Sequence, residues 1–190
     1  MKLLRTPAAV LAAALSLSAC TSDSTGFQDP DRGVFAADFS GDRRGTLDGT
    51  AVSASSVGSG QQDEILLTDI ASRVQILVLH LDDFFAGGSA TLEDGTNPAL
   101  DTGVAALIYF AGADQLYVAT GGTLDVQALE SQGITGTLSF DAVEVNQDTF
   151  APIGGVVNVR ADFVTRYNAT GLGNRAVPGA ARIQAKTPAL

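Results

Sequence analysis

The chain has 190 residues, 21 acidic against 11 basic, a formal charge of −10 and 45% hydrophobic side chains. So acidic a chain is a poor partner for nucleic acid, whose phosphates must be met by cations, and for anionic lipid surfaces. One cysteine, one histidine and no tryptophan exclude a disulfide within the chain and leave too few soft ligands for a structural zinc site.

The amino end reads MKLLRTPAAVLAAALSLSAC. Lys2 and Arg5 give a positive start, and Pro7 to Leu17 form an apolar stretch of signal-peptide length. A spanning helix needs roughly 20 apolar residues, so this run is too short to stay as one. It ends Leu17-Ser18-Ala19-Cys20: an aliphatic residue, two small ones, then cysteine. That ending resembles the lipobox of bacterial lipoproteins. The resemblance implies cleavage after Ala19, a diacylglyceryl group on the Cys20 sulfur, and acylation of the new amino terminus, typically with palmitate. A thiolate is the nucleophile such a transfer needs. The plainer alternative is an ordinary secretory signal with a free cysteine nearby. Residues 1–19 are therefore expected to be a signal peptide and Cys20 the lipid-attachment site. Two or more acyl chains hold a protein stably, where one holds it marginally. Thr21 stands where an Asp tends to retain such lipoproteins in the inner membrane, which implies the outer membrane, facing the periplasm or the cell surface.

Removal of the signal leaves nine basic residues against 21 acidic ones, a formal charge of −12. The signs segregate. Every acid lies at or before Asp162, and from Phe163 onward the charged residues are Arg166, Arg175, Arg182 and Lys186.

After Cys20, the stretch TSDSTGFQDPDRG is rich in Ser, Asp, Gly and Pro, so residues 20–32 are expected to form a flexible tether. At roughly 5–6 Å × √n it would hold a domain about 20 Å from the bilayer. From residue 33 to 168 the apolar period is two, the signature of strands. Phe35, Ala37 and Phe39 alternate with Ala36 and Asp38. Further strands are predicted over 47–54, 64–70, 73–81, 89–92, 104–110, 115–120, 124–128, 134–142 and 154–167. Turn signals such as SGDRRG, FAGGS, EDGTNP, AGAD and ATGG separate them. Residues 169–190 lose the alternation and read as a loose tail. About ten short strands with tight turns predict an all-β domain, an antiparallel β-sandwich or flattened barrel.

GTL recurs at Gly45, Gly122 and Gly136. Each copy is expected to open a strand, with glycine in the turn and leucine pointing inward. The run from Tyr117 to Phe163 combines ATGGTL, GTLSF, an EV strand end and PIGG. It is similar to a loose group of bacterial lipoprotein domains that have no assigned function. The resemblance implies a β domain on a lipid anchor and carries no functional residue except Cys20.

Candidate chemistry is sparse. His80, followed by Asp82 and Asp83, could form part of a hydrolytic triad if a serine lay beside it. Its setting, VQILVLHL, instead makes it a strand-end histidine. Ser59 and Ser89 lie in Gly-rich turns with no nucleophile elbow. GLGNRA, from Gly171 to Ala176, matches a dinucleotide fingerprint on paper, but Pro178 and Gly179 break the helix that motif requires. Glu93, Asp94, Asn97 and Asp101, or Asp63 with Glu64, offer oxygens for calcium without the spacing of a calcium loop. They are read as turn formers, and no metal or cofactor is assigned. Carbohydrate sites present aromatic faces, for which only Tyr109, Tyr117 and Tyr167 are available among tyrosines. Phe84 and Phe85 either form an exposed tip or fold over an open end of the domain.

The expectation is a non-catalytic, lipid-anchored envelope protein, a structural or interaction module. Its partners would be the membrane through Cys20 and an envelope protein or glycan. The alternative is a lipoprotein that binds carbohydrate or another small solute through loops at one end. A deep pocket lined with polar residues would favour the alternative, and a filled core with flat loops the first.

Overall fold

A computed structural model describes residues 33–56, 62–97 and 99–167. The signal peptide, Cys20, the tether, Ser59 and the tail from 169 lie outside the described residues. Ten strands form among those described: β1 (Gly33–Gly41), β2 (Gly45–Ser56), β3 (Gln62–Asp69), β4 (Val74–His80), β5 (Gly88–Leu92), β6 (Val104–Phe110), β7 (Gln115–Glu130), β8 (Gly133–Val145), β9 (Pro152–Val164) and β10 (Arg166–Tyr167).

All belong to one sheet that closes on itself. β1 pairs with β2 on one side and β9 on the other, and the ring runs β1-β2-β3-β4-β6-β7-β8-β9. Each of the eight ladders of the ring is antiparallel. Of the two expected forms, the protein takes the closed barrel. Closure removes the two sheet edges that would otherwise invite pairing with other chains.

The period of two becomes an inside and an outside. Phe35, Leu47, Ile65, Leu67, Ile76, Val78, Ile108, Tyr117, Leu124, Leu138, Phe140, Val159 and Phe163 fill the lumen. An eight-stranded barrel is just wide enough to be filled by such side chains. Outside, β1, β8 and β9 carry the exposed Ala36, Asp38, Ser139, Asp141, Arg160 and Asp162. The outer wall of β3, β4, β6 and β7 is different. Leu66, Leu77, Leu79, Leu107, Leu116 and Val118 form a second apolar cluster with Leu100 and Phe150, which come from loops.

Two expectations need correction. The glycines of ATGG make no turn: β7 runs unbroken from Gln115 to Glu130, with a register shift between Ala119 and Gly121. Here the strand bends, because Gly122 takes φ +150 and lies so close to β8 that a Cβ would stand 2.2 Å from the Ser139 carbonyl oxygen. Beyond the bend β6 and β7 part, and β5 wedges into the fork, pairing Gly88 to Leu92 with Val126 to Gly122. The GTL copies likewise share only their inward leucines Leu47, Leu124 and Leu138. Gly45 opens a strand, whereas Gly122 and Gly136 lie inside β7 and β8.

Candidate functional site

The barrel has two unlike ends. The chain enters at Gly33 and leaves at Tyr167 on one of them, which also carries the start of β8 and the ends of β2 and β4. The other end carries the turns β1–β2, β3–β4, β6–β7 and β8–β9.

At the entry end the chain seals the seam with Thr165, which is fully buried. Its N–H donates to the Ile134 carbonyl (2.7 Å), and its Oγ1 accepts from the Ile134 N–H (2.8 Å) and lies 2.8 Å from the Ser53 hydroxyl. The backbone here passes so close to Gly33 and Gly133 that a Cβ on either would stand 1.8 Å or 2.1 Å from a carbonyl oxygen. β10 then takes the place beside β2 that β1 vacates, pairing Arg166 with Val52.

His80 sits at the same end, opposite Asp63 on the neighbouring strand. The buried Asp63 carboxylate accepts from Ser55 Oγ (2.5 Å) and from the Phe85 N–H (2.7 Å). Ser55 therefore points its hydroxyl at Asp63 and not at the imidazole. His80 Nδ1 is buried, 3.4 Å from Asp82 Oδ1, without a hydrogen bond, and its ring meets Phe85 edge-on at 5.7 Å. Asp82 accepts from the Gly103 N–H (2.9 Å) and Asp83 from the Phe84 N–H (2.8 Å). The structure thus brings His80 and Asp82 near each other but supplies no hydroxyl nucleophile to them among the described residues. Phe85 folds into the lumen and Phe84 is half-buried. Nearby, burial pushes the Glu64 carboxyl up, and burial with the Asp63 charge pushes the Tyr167 hydroxyl up.

Of the oxygens weighed for calcium, those of Asp94 and Asn97 serve backbone turns and those of Asp63 bond Ser55 and the Phe85 N–H. Asp94 accepts from the Thr96 N–H (2.9 Å) and hydroxyl (2.6 Å), and Asn97 accepts from the Ala99 N–H (3.0 Å). No group of three or more His, Cys, Asp or Glu among the described residues is placed to hold a metal ion. Ser89 is exposed on β5. Gly171 to Ala176 lie outside the described residues.

The far end is closed by a network that the sequence does not announce. Arg43, in the β1–β2 turn, lies 4.9 Å over the Phe110 ring and donates through Nε to Gln115 Oε1 (2.6 Å). Gln115 passes a hydrogen bond from Nε2 to Glu144 Oε1 (2.9 Å). Phe39, Phe110 and Tyr117 stack beneath, with ring centroids 5.3 Å and 5.6 Å apart. Burial and then the Glu144 charge push the Tyr117 hydroxyl up, with Arg43 opposing. Beside Arg43 lies an open cleft of about 510 Å³ lined by Phe39, Arg44, Thr46, Ser72 and Val74. Arg43 and Gln115 are 72 residues apart, so no local pattern could have paired them. The three tyrosines offer no open aromatic platform. Tyr117 is buried, Tyr109 is half-buried and donates to Asp114 (2.8 Å), and Tyr167 is 38% exposed at the opposite end.

Comparison with known protein families, curated proteins and solved structures finds no match to this chain.

Proposed function

We propose that this chain is a lipid-anchored protein of a bacterial cell envelope, held through Cys20 in the outer membrane, whose barrel is a non-catalytic structural or interaction module. One observation carries the reading: the polarity of the barrel. Its lumen is filled with apolar side chains, while β1, β8 and β9 turn Asp38, Asp141, Arg160 and Asp162 outward. Membrane-spanning barrels have the reverse arrangement, an apolar outer band around a polar interior. No helix among the described residues is long and apolar enough to cross a membrane. A barrel of this polarity sits in water, so attachment to a bilayer falls to the amino-terminal segment, where the lipobox-like Leu17-Ser18-Ala19-Cys20 lies. A filled lumen and short turns at the far end favour an interaction module over a carrier. The carrier reading keeps two open clefts, one of about 510 Å³ beside Arg43 and one of about 630 Å³ lined by Asp38, Asp48, Ser139, Arg160 and Asp162.

Mass spectrometry of the mature amino terminus tests the anchor. A diacylglyceryl mass on Cys20 is the expected result, and Cys20→Ser should remain unprocessed and take up no labelled palmitate. Mature protein with an unmodified Cys20 thiol overturns the proposal.

A further inference from the structure

We propose that the entry end of the barrel is itself a lipid-facing surface, seated in the interfacial layer of the bilayer through Val34, Leu129, Val164 and Tyr167. This rests on the lipid-anchor reading and adds to it a defined orientation of the domain.

Large hydrophobic side chains exposed among the described residues fall into two groups. Ile70, Ile153 and Val156 lie towards the far end. Val34 (47% exposed), Leu129 (45%), Val164 (39%) and Tyr167 (38%) lie at the entry end. The second group lies along one rim of the barrel, on both sides of its wall. Val34 and Val164 are direct cross-strand partners, and Val164 faces Thr135 on its other side. Leu129 pairs with the lumen-facing Ile134 and so lies at the mouth on the inner side of the wall, and the Tyr167 N–H donates to the Gln132 carbonyl (2.9 Å) at the same rim. Over the segments that make this rim, 33–36, 128–136 and 163–167, the charged residues are Glu130 and Arg166 alone. This arc of the entry end is nearly uncharged, in contrast to the arc that carries Asp63, Glu64, Asp82 and Asp83, and a tyrosine suits the boundary between headgroups and acyl chains.

What faces that edge follows from where the chain goes. Twelve residues separate Cys20 from Gly33, which opens β1 at this rim. A random-coil chain of that length spans about 20 Å, so an anchor at Cys20 would keep the rim near the bilayer. Linkage of this kind gives a high effective concentration, and contacts too weak to bind a free protein become populated.

The chain has no tryptophan, so a single introduced one reports alone. The acylated full-length protein carrying Val164→Trp, and separately Ile153→Trp at the far end, is reconstituted into phosphatidylcholine vesicles with and without brominated acyl chains. Circular dichroism confirms that each variant is folded. The expected result is a blue-shifted emission from Val164→Trp, quenched at least twofold more by brominated lipid than that from Ile153→Trp. Equal quenching at the two positions, or none at either while the protein floats with the vesicles, overturns the orientation and leaves the anchor standing. Protein that does not float with the vesicles at all overturns the anchor and the orientation together.

Discussion

Replacing Thr165 by valine removes one hydroxyl and keeps nearly the same volume and the same branching at Cβ. The site has no solvent to compensate, since Thr165 and Ser53 are both fully buried. The change leaves the Ile134 N–H without its acceptor and the Ser53 hydroxyl without its partner. A buried polar group left unsatisfied costs about 1–3 kcal/mol, so the two together predict a loss of about 2–6 kcal/mol, a fall of about 1–3 M in the unfolding midpoint at a urea slope of about 2 kcal/mol per molar. That loss is a large part of the roughly 5–15 kcal/mol that holds an ordinary domain together, yet leaves the domain folded over much of that range. Amide hydrogen exchange supplies a local readout, because the Ile134 amide should lose protection more than the amides of β4 and β6. A second variant checks the mechanism. Ser53→Ala added to Thr165→Val removes the stranded hydroxyl, so the double variant should be more stable than the two single losses added together. A midpoint unchanged within about 0.3 M, which is under 1 kcal/mol on that slope, with Ile134 exchange unaltered, would refute the view that this hydroxyl closes the barrel.

Two more predictions follow from the lumen and the far end. Phe140 is 2% exposed inside the barrel, so Phe140→Ala should cost about 3–5 kcal/mol; a loss below about 1 kcal/mol in a urea titration would mean that the lumen is not close-packed there. The Asp114 carboxyl, which accepts hydrogen bonds from Gln147 (3.1 Å) and Tyr109 (2.8 Å), is held below its ordinary value of 3.8 chiefly by Gln147, then by Tyr109. A carboxyl lowered in this way favours the folded state above its unfolded pKa, and the benefit disappears as pH falls through the folded one. Gln147→Leu should therefore raise the Asp114 titration followed by carbon-detected NMR, and any stability difference from the parent should vanish in acid. An Asp114 titration identical in the two proteins contradicts the assignment.

Alternation made most of the strands legible, because a wall with an apolar inside and a wet outside imposes a period of two on the sequence. The 104–110 strand is found at its predicted bounds, and Leu47, Leu124 and Leu138 all point inward as their pattern requires. Closure was not legible. Whether β1 pairs with β9 as well as β2 depends on register between residues more than 100 positions apart, such as Ala37 and Ala161, and no local pattern encodes it. The ATGG stretch misled for a related reason. Gly-Gly serves a turn and a bulge equally well, since both need backbone that carries no Cβ. Only the β8 carbonyl pressed against Gly122 decides between them. Apolar runs on both faces, as in VQILVLHL, marked strands buried twice, by the lumen and by the outer cluster with Leu100 and Phe150. Which loops cover the outside is again a long-range matter.

The site proved harder to read for a physical reason visible in its carboxylates. An acidic chain suggests ligands for metals or bases for catalysis, yet here short turns take up many of the acids and side-chain amides. Asp69 accepts from the Ser72 N–H (2.9 Å), Asp94 from the Thr96 N–H (2.9 Å), and Asn146 from the Asp148 and Thr149 N–H groups (2.9 and 3.0 Å). Each turn between paired strands leaves backbone donors that the ladder cannot satisfy, and a short acidic or amide side chain meets them at the lowest conformational cost. Asp and Asn therefore accumulate at strand ends whether or not a ligand is bound there. The groups that reach across the molecule, Arg43 to Gln115 and Thr165 to Ser53, close the two ends of the barrel.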